Sequence, residues 1–350
     1  MEMLRFSVSL RPWHHNPNAV QPAPVMSPEV SRTTQSSEQE QRPASSAPIA
    51  ILLCTYNGAR FLPPQLASYE TQDSDWHLFV SDDGSTDATF DLLADFQKKH
   101  GTAKVQIRQG PRKGFVANFL SLICDPAVSG EYYALSDQDD VWDADKLSRA
   151  RKVLRDAPAD EPLVYCSRTR LIDEHGAALR LSLNYRRPPH FRNALAQSLA
   201  SGNTMVLNEP TRQLLMRVGA DVGAPAHDWW IYLLVTAVGG RMLYDQTPTV
   251  SYRMHGRNLI GSNSSVAAQI RRAAMLWQGR YKGWAEMNVA ALERIESEMT
   301  TENRETFDLF RRSRKQSLLP RISGLIRSGI YRQTILGDIG LAAAALAGKV

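Results

Sequence analysis

Short apolar runs, each followed by a polar turn, recur through the middle of the chain and constrain its fold most. Residues 48–54 form an uninterrupted apolar run, as expected for a strand buried on both faces of a sheet. Residues 76–80 and 131–135 repeat the pattern, with helix-like segments between the runs. This alternation predicts an α/β fold in which helices flank a mostly parallel central sheet.

Acidic residues stand at the ends of these runs. Asp82 and Asp83 follow one run, Asp137 and Asp139 follow another, and Asp228 opens a third apolar stretch. Carboxylates at the ends of buried strands are costly unless a cation compensates them. The carboxyl edge of an open α/β sheet is also where ligands bind. The pattern predicts a divalent cation and an oxygen-rich ligand, most simply a nucleotide diphosphate.

The sequence Asp137-Gln138-Asp139-Asp140 is the most specific of these signals. Carboxylates spaced by one residue can converge on one hard cation and leave positions for pyrophosphate oxygens. Such a cation would neutralise the charge on a departing diphosphate. An exposed acidic turn fits less well, because the cluster directly follows a buried type of strand.

The other acidic positions have structural alternatives. Asp82 and Asp83 could bind a nucleobase and ribose, or could serve equally as a turn and helix cap. Asp228 lies beside two tryptophans, which would raise its pKa and favour a role as a base. Its alternative role is the N-cap of a helix over residues 229–238.

Several polar residues in the connecting loops are weaker candidates. Residues 54–58 could contact a nucleoside, although an ordinary turn explains them as well, and they lack the Gly-rich pattern of dinucleotide-binding dehydrogenases. His255 could be a metal ligand and Arg253 could meet phosphate, but a lone histidine is more often structural. Lys113 and Asn118, with Arg112 as a weaker candidate, could reach phosphate or base, or belong to a solvated loop and helix start.

The positive charge of the chain is concentrated towards its C-terminus. The net charge is +5; residues 48–264 carry 23 Lys/Arg and 24 Asp/Glu, and residues 265–350 carry 14 and 8. This distribution favours contact of the C-terminal segment with an anionic lipid surface or a partner. We expect no nucleic-acid binding, because no reader motif accompanies the basic residues.

The sequence also predicts three segments. Residues 1–47, rich in Pro, Ser, Gln and Glu, are expected to be a disordered extension without a secretory signal. Residues 48–264 are expected to form the catalytic domain, and residues 265–350 a basic helical extension. Within it, residues 318–350 resemble a peripheral interfacial helix, or alternatively a helix packed on protein. No apolar stretch is long enough to span a membrane, and the three scattered cysteines fit a reducing compartment.

Taken together, the motifs resemble those of family 2 glycosyltransferases with the GT-A fold, especially the rhamnosyltransferase-like branch. The resemblance extends from about residue 49 to residue 262. It rests on these segments in this order: Leu53-Cys54-Thr55-Tyr56-Asn57-Gly58, Ser81-Asp82-Asp83-Gly84-Ser85-Thr86-Asp87, Ser136-Asp137-Gln138-Asp139-Asp140-Val141-Trp142, Gly202-Asn203-Thr204-Met205, His227-Asp228-Trp229-Trp230 and Tyr252-Arg253-Met254-His255-Gly256.

This resemblance, with the local patterns, assigns expected roles. Asp228 is the expected catalytic base, and the expected ligands of a divalent metal (Mn²⁺ or Mg²⁺) are Asp137, Asp139 and His255. The expected donor-binding residues are Thr55, Tyr56, Asn57, Asp82, Asp83, Lys113, Asn118, Asp137 and Gln138. The expected acceptor loop comprises Gly202, Asn203 and Thr204, with Trp229 nearby.

The implied activity is inverting transfer of a sugar from a nucleotide-diphosphate donor, such as dTDP-rhamnose or a UDP-sugar, to a hydroxyl of a glycan or lipid-linked acceptor in surface polysaccharide synthesis. A cytoplasmic site, at the inner face of the membrane, follows from that role. The chain lacks the Gln-x-x-Arg-Trp element of processive synthases, which favours addition of single sugars. The alternatives are a sugar nucleotidyltransferase, which should carry a Gly-rich basic phosphate loop, and a catalytically idle nucleotide-sugar binder.

Overall fold

A nine-stranded mixed sheet organises the computed structural model, which describes residues 47–255 and 280–350. Its strands are β1 (Ile49–Thr55), β2 (Trp76–Asp82), β3 (Val105–Gln109), β4 (Tyr133–Ser136), β5 (Val141–Trp142), β6 (Leu163–Ile172), β7 (Ala178–Leu181), β8 (Val206–Leu207) and β9 (Arg241–Arg253). They are ordered β3-β2-β1-β4-β8-β6-β9-β5, and β7 pairs with β6. The longer pairs, β1–β2, β2–β3, β1–β4 and β6–β9, are parallel, whereas the short pairs made by β5, β7 and β8 are antiparallel.

Helices cover both faces of this sheet and continue beyond it. They are α1 (Leu62–Glu70), α2 (Thr89–His100), α3 (Phe115–Ile123), α4 (Lys146–Arg155), α5 (Phe191–Ala194), α6 (Glu209–Val218), α7 (His227–Ala237), α8 (Arg280–Glu293), α9 (Thr301–Arg314), α10 (Leu318–Ser328) and α11 (Ile335–Leu346). Short 3₁₀ turns occupy Gly202–Thr204 and Glu296–Glu298. The predicted α/β class, with a mostly parallel sheet and a helical C-terminal extension, is confirmed.

The first strand shows why the sequence adopts this architecture. Alternate β1 residues enter two separate apolar clusters: Leu52 lies in one, and Ile51 and Leu53 lie in the other. All three are fully buried, so the apolar run indeed marks a strand covered on both faces.

The parallel strands bring the predicted motifs to one edge of the sheet. Thr55, at the end of β1, pairs in register with Asp82 at the end of β2. On the other side of β1, Leu53 pairs with Ser136, the last residue of β4. Because parallel strands end at the same edge, the loops that follow these three strands meet above it.

Some elements carried too little sequence signal to be predicted. β5 is two residues long and exists through its pairing with β9, and β7 is exposed throughout. The helix α6 was not predicted either, although its Asn208 cap and the proline in its first turn mark a helix start. Within the predicted helical extension over residues 265–350, the part before residue 280 lies outside the described residues. Residues 1–46 of the predicted disordered extension, and the predicted boundary at 264, also lie outside them.

The described part of the C-terminal segment shares the core of the sheet domain. Leu292, Phe307 and Leu341 belong to the same apolar cluster as Leu52 of β1. Other apolar residues of α10 and α11 remain exposed to solvent: Leu318, Leu319, Ile326, Ile335, Leu336, Ile339 and Leu346. Among the described residues, no helix combines the length and apolarity needed to cross a bilayer.

Candidate active site

A cavity of about 1290 Å³ opens at the carboxyl edge of the sheet. Most of the predicted site residues line it: Thr55, Tyr56, Asn57, Asp83, Asn118, Asp137, Gln138, Asp139, Gly202, Asp228 and His255. The others lie outside its lining: Asp82, Lys113, Asn203, Thr204 and Trp229. The fold therefore gathers residues from seven separate segments of the chain around one space, and leaves the remainder outside it.

The loop after β1 is held by polar contacts from two other loops. The Gln138 side chain bonds to both backbone polar groups of Tyr56: its Oε1 accepts from the Tyr56 N–H at 2.9 Å, and its Nε2 donates to the Tyr56 carbonyl at 3.0 Å. A Cβ on Gly58 would lie 2.1 Å from Gln138 Oε1, so this approach needs glycine. Asn57 has a positive φ of 48° and accepts from the Thr86 N–H at 2.8 Å. These contacts leave the Tyr56 ring exposed at the cavity.

The two adjacent aspartates after β2 have different surroundings. Asp82 accepts hydrogen bonds from Thr55 Oγ1 at 2.7 Å and from the Ser85 N–H and hydroxyl at 2.8 and 2.6 Å. Its carboxylate therefore stabilises its own loop. Asp83 accepts from the backbone N–H groups of Arg112 and Gly114, at 2.6 and 2.8 Å, and lines the cavity. Asp83 thus joins the loops after β2 and β3.

In the loop after β3, Arg112 lines the cavity whereas Lys113 is exposed outside it. Arg112 has a positive φ of 57°, and its side chain passes 3.2 Å from the position of a Cβ on Gly84. Asn118 is buried, and its amide bonds to the Ser81 carbonyl at 2.8 Å and the Ser81 hydroxyl at 2.6 Å. The sequence pattern had favoured Lys113 over Arg112 as a candidate. Which of two neighbouring side chains enters a cavity depends on the backbone conformation, which the pattern does not reveal.

The predicted metal element lies on the cavity wall. His255 Nε2 and Asp139 Oδ2 are 2.7 Å apart, and the His255 ring stacks on Phe61 at 4.8 Å. No described residue makes a hydrogen bond to the Asp137 carboxylate. Within residues 47–255 and 280–350, no three acidic, histidine or cysteine side chains are close enough to form a metal cluster. His255 and Asp139 are therefore adjacent, but together with Asp137 they do not form a three-ligand metal site in the described structure.

A buried polar network lies behind this element. Asp140 accepts from the Asn203 amide and, at 3.1 Å, from the Arg253 N–H. Lys146 Nζ donates to the Asn203 carbonyl at 3.0 Å and packs over the Trp142 ring at 4.2 Å. Burial lowers the pKa of Lys146 to about 7, against the attraction of Asp140. Asn203 thus links the acceptor loop to the acidic loop from behind the cavity.

Asp228 lies in the first turn of α7 and faces the cavity. Its Oδ1 accepts from the Trp229 N–H at 2.6 Å. Burial raises the pKa of Asp228 to about 6, although backbone hydrogen bonds oppose the rise. Burial also raises the pKa of Asp137 well above its usual range, and repulsion from Asp140, Asp139 and Asp228 adds to this effect. The cavity is therefore a site where added positive charge is strongly favoured.

The wall beside Asp228 is aromatic and apolar, which the motifs did not reveal. Phe115 and Phe119 of α3 line it together with His227. Trp229 instead points into the core, where its Nε1 donates to the Ala194 carbonyl at 2.7 Å. The helical spacing of the residues 227–230 could have indicated that adjacent members face different directions.

The acidic loops at this sheet edge surround one large cavity, which is the arrangement that the resemblance to nucleotide-sugar glycosyltransferases predicts. Residues 50–214 match the family model described as Glycosyl transferase family 2. The match confirms, over these residues, the resemblance to family 2 glycosyltransferases that the order of the motifs predicted.

Curated relatives agree with this assignment. The dTDP-rhamnosyl transferase RfbG of Shigella flexneri is 27% identical over 245 residues, which cover 66% of this chain and 81% of that protein. An uncharacterized glycosyltransferase of Nostoc sp., alr2836, is 34% identical over 112 residues, 31% of this chain and 33% of the relative.

Solved structures of glycosyltransferases align over most of the chain at low identity. S. aureus TarS 1-349 has a TM-score of 0.49 at 14% identity and covers 81% of this chain and 92% of its own. The mannosyltransferase PcManGT from Pyrobaculum calidifontis has a TM-score of 0.48 at 18% identity, with 87% and 86% covered.

Proposed function

We propose that this protein is an inverting glycosyltransferase that moves a single sugar, in the first instance rhamnose from dTDP-rhamnose, to a hydroxyl of a glycan or lipid-linked acceptor. One observation carries the proposal: the half-buried Asp228 carboxylate, with a pKa of about 6, shares a cavity with the Asp137 and Asp139 loop. The choice of donor rests on the relative named as a dTDP-rhamnosyl transferase.

In this mechanism Asp228 acts as the general base. With a pKa of about 6 it is mostly ionised at pH 7, and it is more basic than an ordinary aspartate. The acceptor oxygen forms a bond to the anomeric carbon while the bond from that carbon to the diphosphate breaks. The acceptor proton passes to Asp228, and the diphosphate leaves with the bonding electron pair. A single displacement of this kind inverts the configuration of the anomeric carbon.

Three loops are suited to hold the donor. The exposed Tyr56 ring offers a stacking face for the base. Asp83 and Arg112 lie side by side on the cavity wall, so a carboxylate and a guanidinium are available for the nucleoside and the diphosphate. In the alternative of a sugar nucleotidyltransferase, the turn after β1 would provide a Gly-rich basic loop, and here it provides Tyr56 and Asn57 instead.

Asp139 and His255, with Asp137 nearby, would hold a divalent cation. The fit is supported by the raised pKa of Asp137 and by the adjacent oxygen and nitrogen donors of Asp139 and His255. When bound, the ion supplies positive charge to the leaving diphosphate.

The decisive test compares Asp228→Asn with Asp160→Asn, an exposed aspartate in the loop before β6. With Mn²⁺ and dTDP-rhamnose, we expect Asp228→Asn to lose at least 10³-fold in transfer, in the range of an essential general base. Its dTDP-rhamnose affinity, measured by calorimetry, should stay within about twofold. Retained transfer would exclude the base role, and release of pyrophosphate from a sugar phosphate and dTTP would favour the nucleotidyltransferase.

A second part of the proposal is that α10 and α11 contact an anionic membrane. Their exposed Leu319, Ile326, Ile335 and Leu336 lie in a segment with excess positive charge, as in interfacial helices. We expect the double variant Ile335→Asp/Leu336→Asp to lose flotation with phosphatidylglycerol vesicles. A Leu179→Asp control, at an exposed position on β7, should float like the wild type. Equal failure of all three proteins to float would exclude the membrane contact.

A further inference from the structure

His227 is the first residue of α7 and directly precedes the proposed base. It lines the cavity, yet is only 5% exposed. Its imidazole stacks on Phe119 with ring centroids 4.1 Å apart, and Phe115 meets it edge-on at 5.9 Å. The ring is therefore fixed in place by aromatic neighbours on α3.

The polar atoms of this ring have no partner in the described protein. Neither Nδ1 nor Nε2 makes a hydrogen bond within residues 47–255 and 280–350. Burial keeps the imidazole neutral, so that one nitrogen is a donor and the other an acceptor. Buried polar groups in native proteins nearly always have a partner, and an exception calls for an explanation.

The acceptor loop leaves room for this ring. A Cβ on Gly202 would lie 2.3 Å from His227 Nε2 and 3.1 Å from its Cε1. A residue with any side chain at position 202 would displace the imidazole, so the position of the His227 ring depends on glycine at position 202. Leu199 and Ala200 line the same cavity just before this glycine.

The chemistry of this wall points to a sugar. A sugar hydroxyl both donates and accepts, is uncharged, and lies on a ring whose C–H groups pack well on aromatic side chains. An anionic group fits poorly, because the imidazole is neutral and Asp228 is its direct neighbour. We propose that His227 binds a hydroxyl of a sugar held beside Asp228. This inference rests on the proposed function, and the hydroxyl can belong to the donor sugar or to the acceptor.

The test uses His227→Leu, which removes both nitrogens, and His227→Gln, which restores a donor and an acceptor near Nε2. Affinities for dTDP and dTDP-rhamnose are measured by calorimetry with Mn²⁺, and KM values with a panel of octyl glycosides as acceptors. We expect His227→Leu to bind dTDP like the wild type and to lose roughly 3- to 10-fold in one sugar-dependent parameter. His227→Gln should recover part of that loss.

The two sugar sources give different results. A loss of dTDP-rhamnose affinity assigns the hydroxyl to the donor sugar, and an increase in acceptor KM alone assigns it to the acceptor. Unchanged values for both sugars overturn the proposal, and so does an equal loss for dTDP and dTDP-rhamnose, which would indicate general damage to the site.

The affinity measurements need no catalysis, so the proposed role of His227 and the proposed function can fail separately. A wild type that binds dTDP-rhamnose but transfers no sugar refutes the proposed function and leaves His227 to be judged by binding. A wild type that transfers sugar, with His227→Leu unchanged in every affinity and KM, refutes the role of His227 alone. A wild type that binds neither dTDP nor dTDP-rhamnose overturns both.

Discussion

The raised pKa of Asp228 predicts that replacing its carboxylate by a neutral amide makes the folded protein more stable. In Asp228→Asn, the amide oxygen can still accept the Trp229 N–H that reaches Asp228 Oδ1 at 2.6 Å. The substitution removes only the charge and its proton. Since burial is the main cause of the raised pKa, the folded state bears a cost for ionising Asp228 that the unfolded chain does not bear.

The size and pH dependence of the effect follow from the shift. The pKa rises from 3.8 to about 6, which corresponds to about 3 kcal/mol, or about 2 kcal/mol after allowing for the part of the carboxylate that faces the cavity. Between these pKa values the folded state retains a proton that the unfolded state has lost, so the stability of the wild type falls as pH rises. The gain of the variant should be absent near pH 4, grow until about pH 6 and remain constant above it.

The assay is urea unfolding of both proteins from about pH 4 to pH 8, in chelator and without donor, because a bound cation would reduce the penalty. At pH 8 the free energy of unfolding should be about 2 kcal/mol higher for Asp228→Asn than for the wild type. Asp245→Asn is the control of opposite sign, since hydrogen bonds from Arg149, Thr247 and Tyr165 outweigh burial and lower the pKa of Asp245. A gain from Asp228→Asn that did not vary with pH would refute the reasoning, and so would a loss of stability at pH 8.

Three further predictions concern the pH profile, the donor loop and the buried network. If Asp228 is the base, kcat/KM should fall about tenfold per pH unit below its pKa of about 6; a flat profile between pH 5 and 7 would contradict this. Gln138→Ala loses hydrogen bonds of 2.9 and 3.0 Å to the backbone N–H and carbonyl of Tyr56, so the donor KM should rise roughly 5- to 30-fold with little change in kcat; an unchanged KM would exclude a role for these two hydrogen bonds. Lys146→Met removes the buried partner of the Asp140 and Asn203 network and should lower the free energy of unfolding by about 3 kcal/mol. In urea unfolding, Lys152→Met, at an exposed position on the same helix, should change it by less than about 0.5 kcal/mol, and equal effects would contradict the buried role.

The positions of the buried parallel strands along the chain, and the loops that meet at the sheet edge, were predictable, because a buried parallel strand leaves a continuous apolar run. The run at residues 49–54 and the acids after it locate this edge without further information. The same logic gathers Asp83, Asp137 and Asp139 around one space. Their roles in donor and metal binding stay predictions that the experiments above test.

Side-chain direction within loops was not predictable, since it depends on backbone angles and distant partners. Arg112 enters the cavity with a positive φ, whereas Lys113 next to it does not. Asn203 turns away from the cavity because Asp140 and Lys146, far off in sequence, bind its amide and carbonyl. The neutral, buried state of His227 depends on Phe119 of another helix, which no local pattern indicates.

The connection between α10 and α11 is bonded to the segment that leads into the cavity wall. Asn193 donates to the Tyr331 carbonyl at 3.0 Å, and Gln197 accepts from the Gln333 N–H at 3.1 Å. Ser198 and the residues up to Gly202 then line the cavity. These bonds, and the apolar contacts of Leu325 and Leu341 with the core, hold the two helices in one position on the domain. A surface bound by their exposed residues would lie at a fixed distance from Asp228. That distance would select acceptors by how far their sugar extends from the surface.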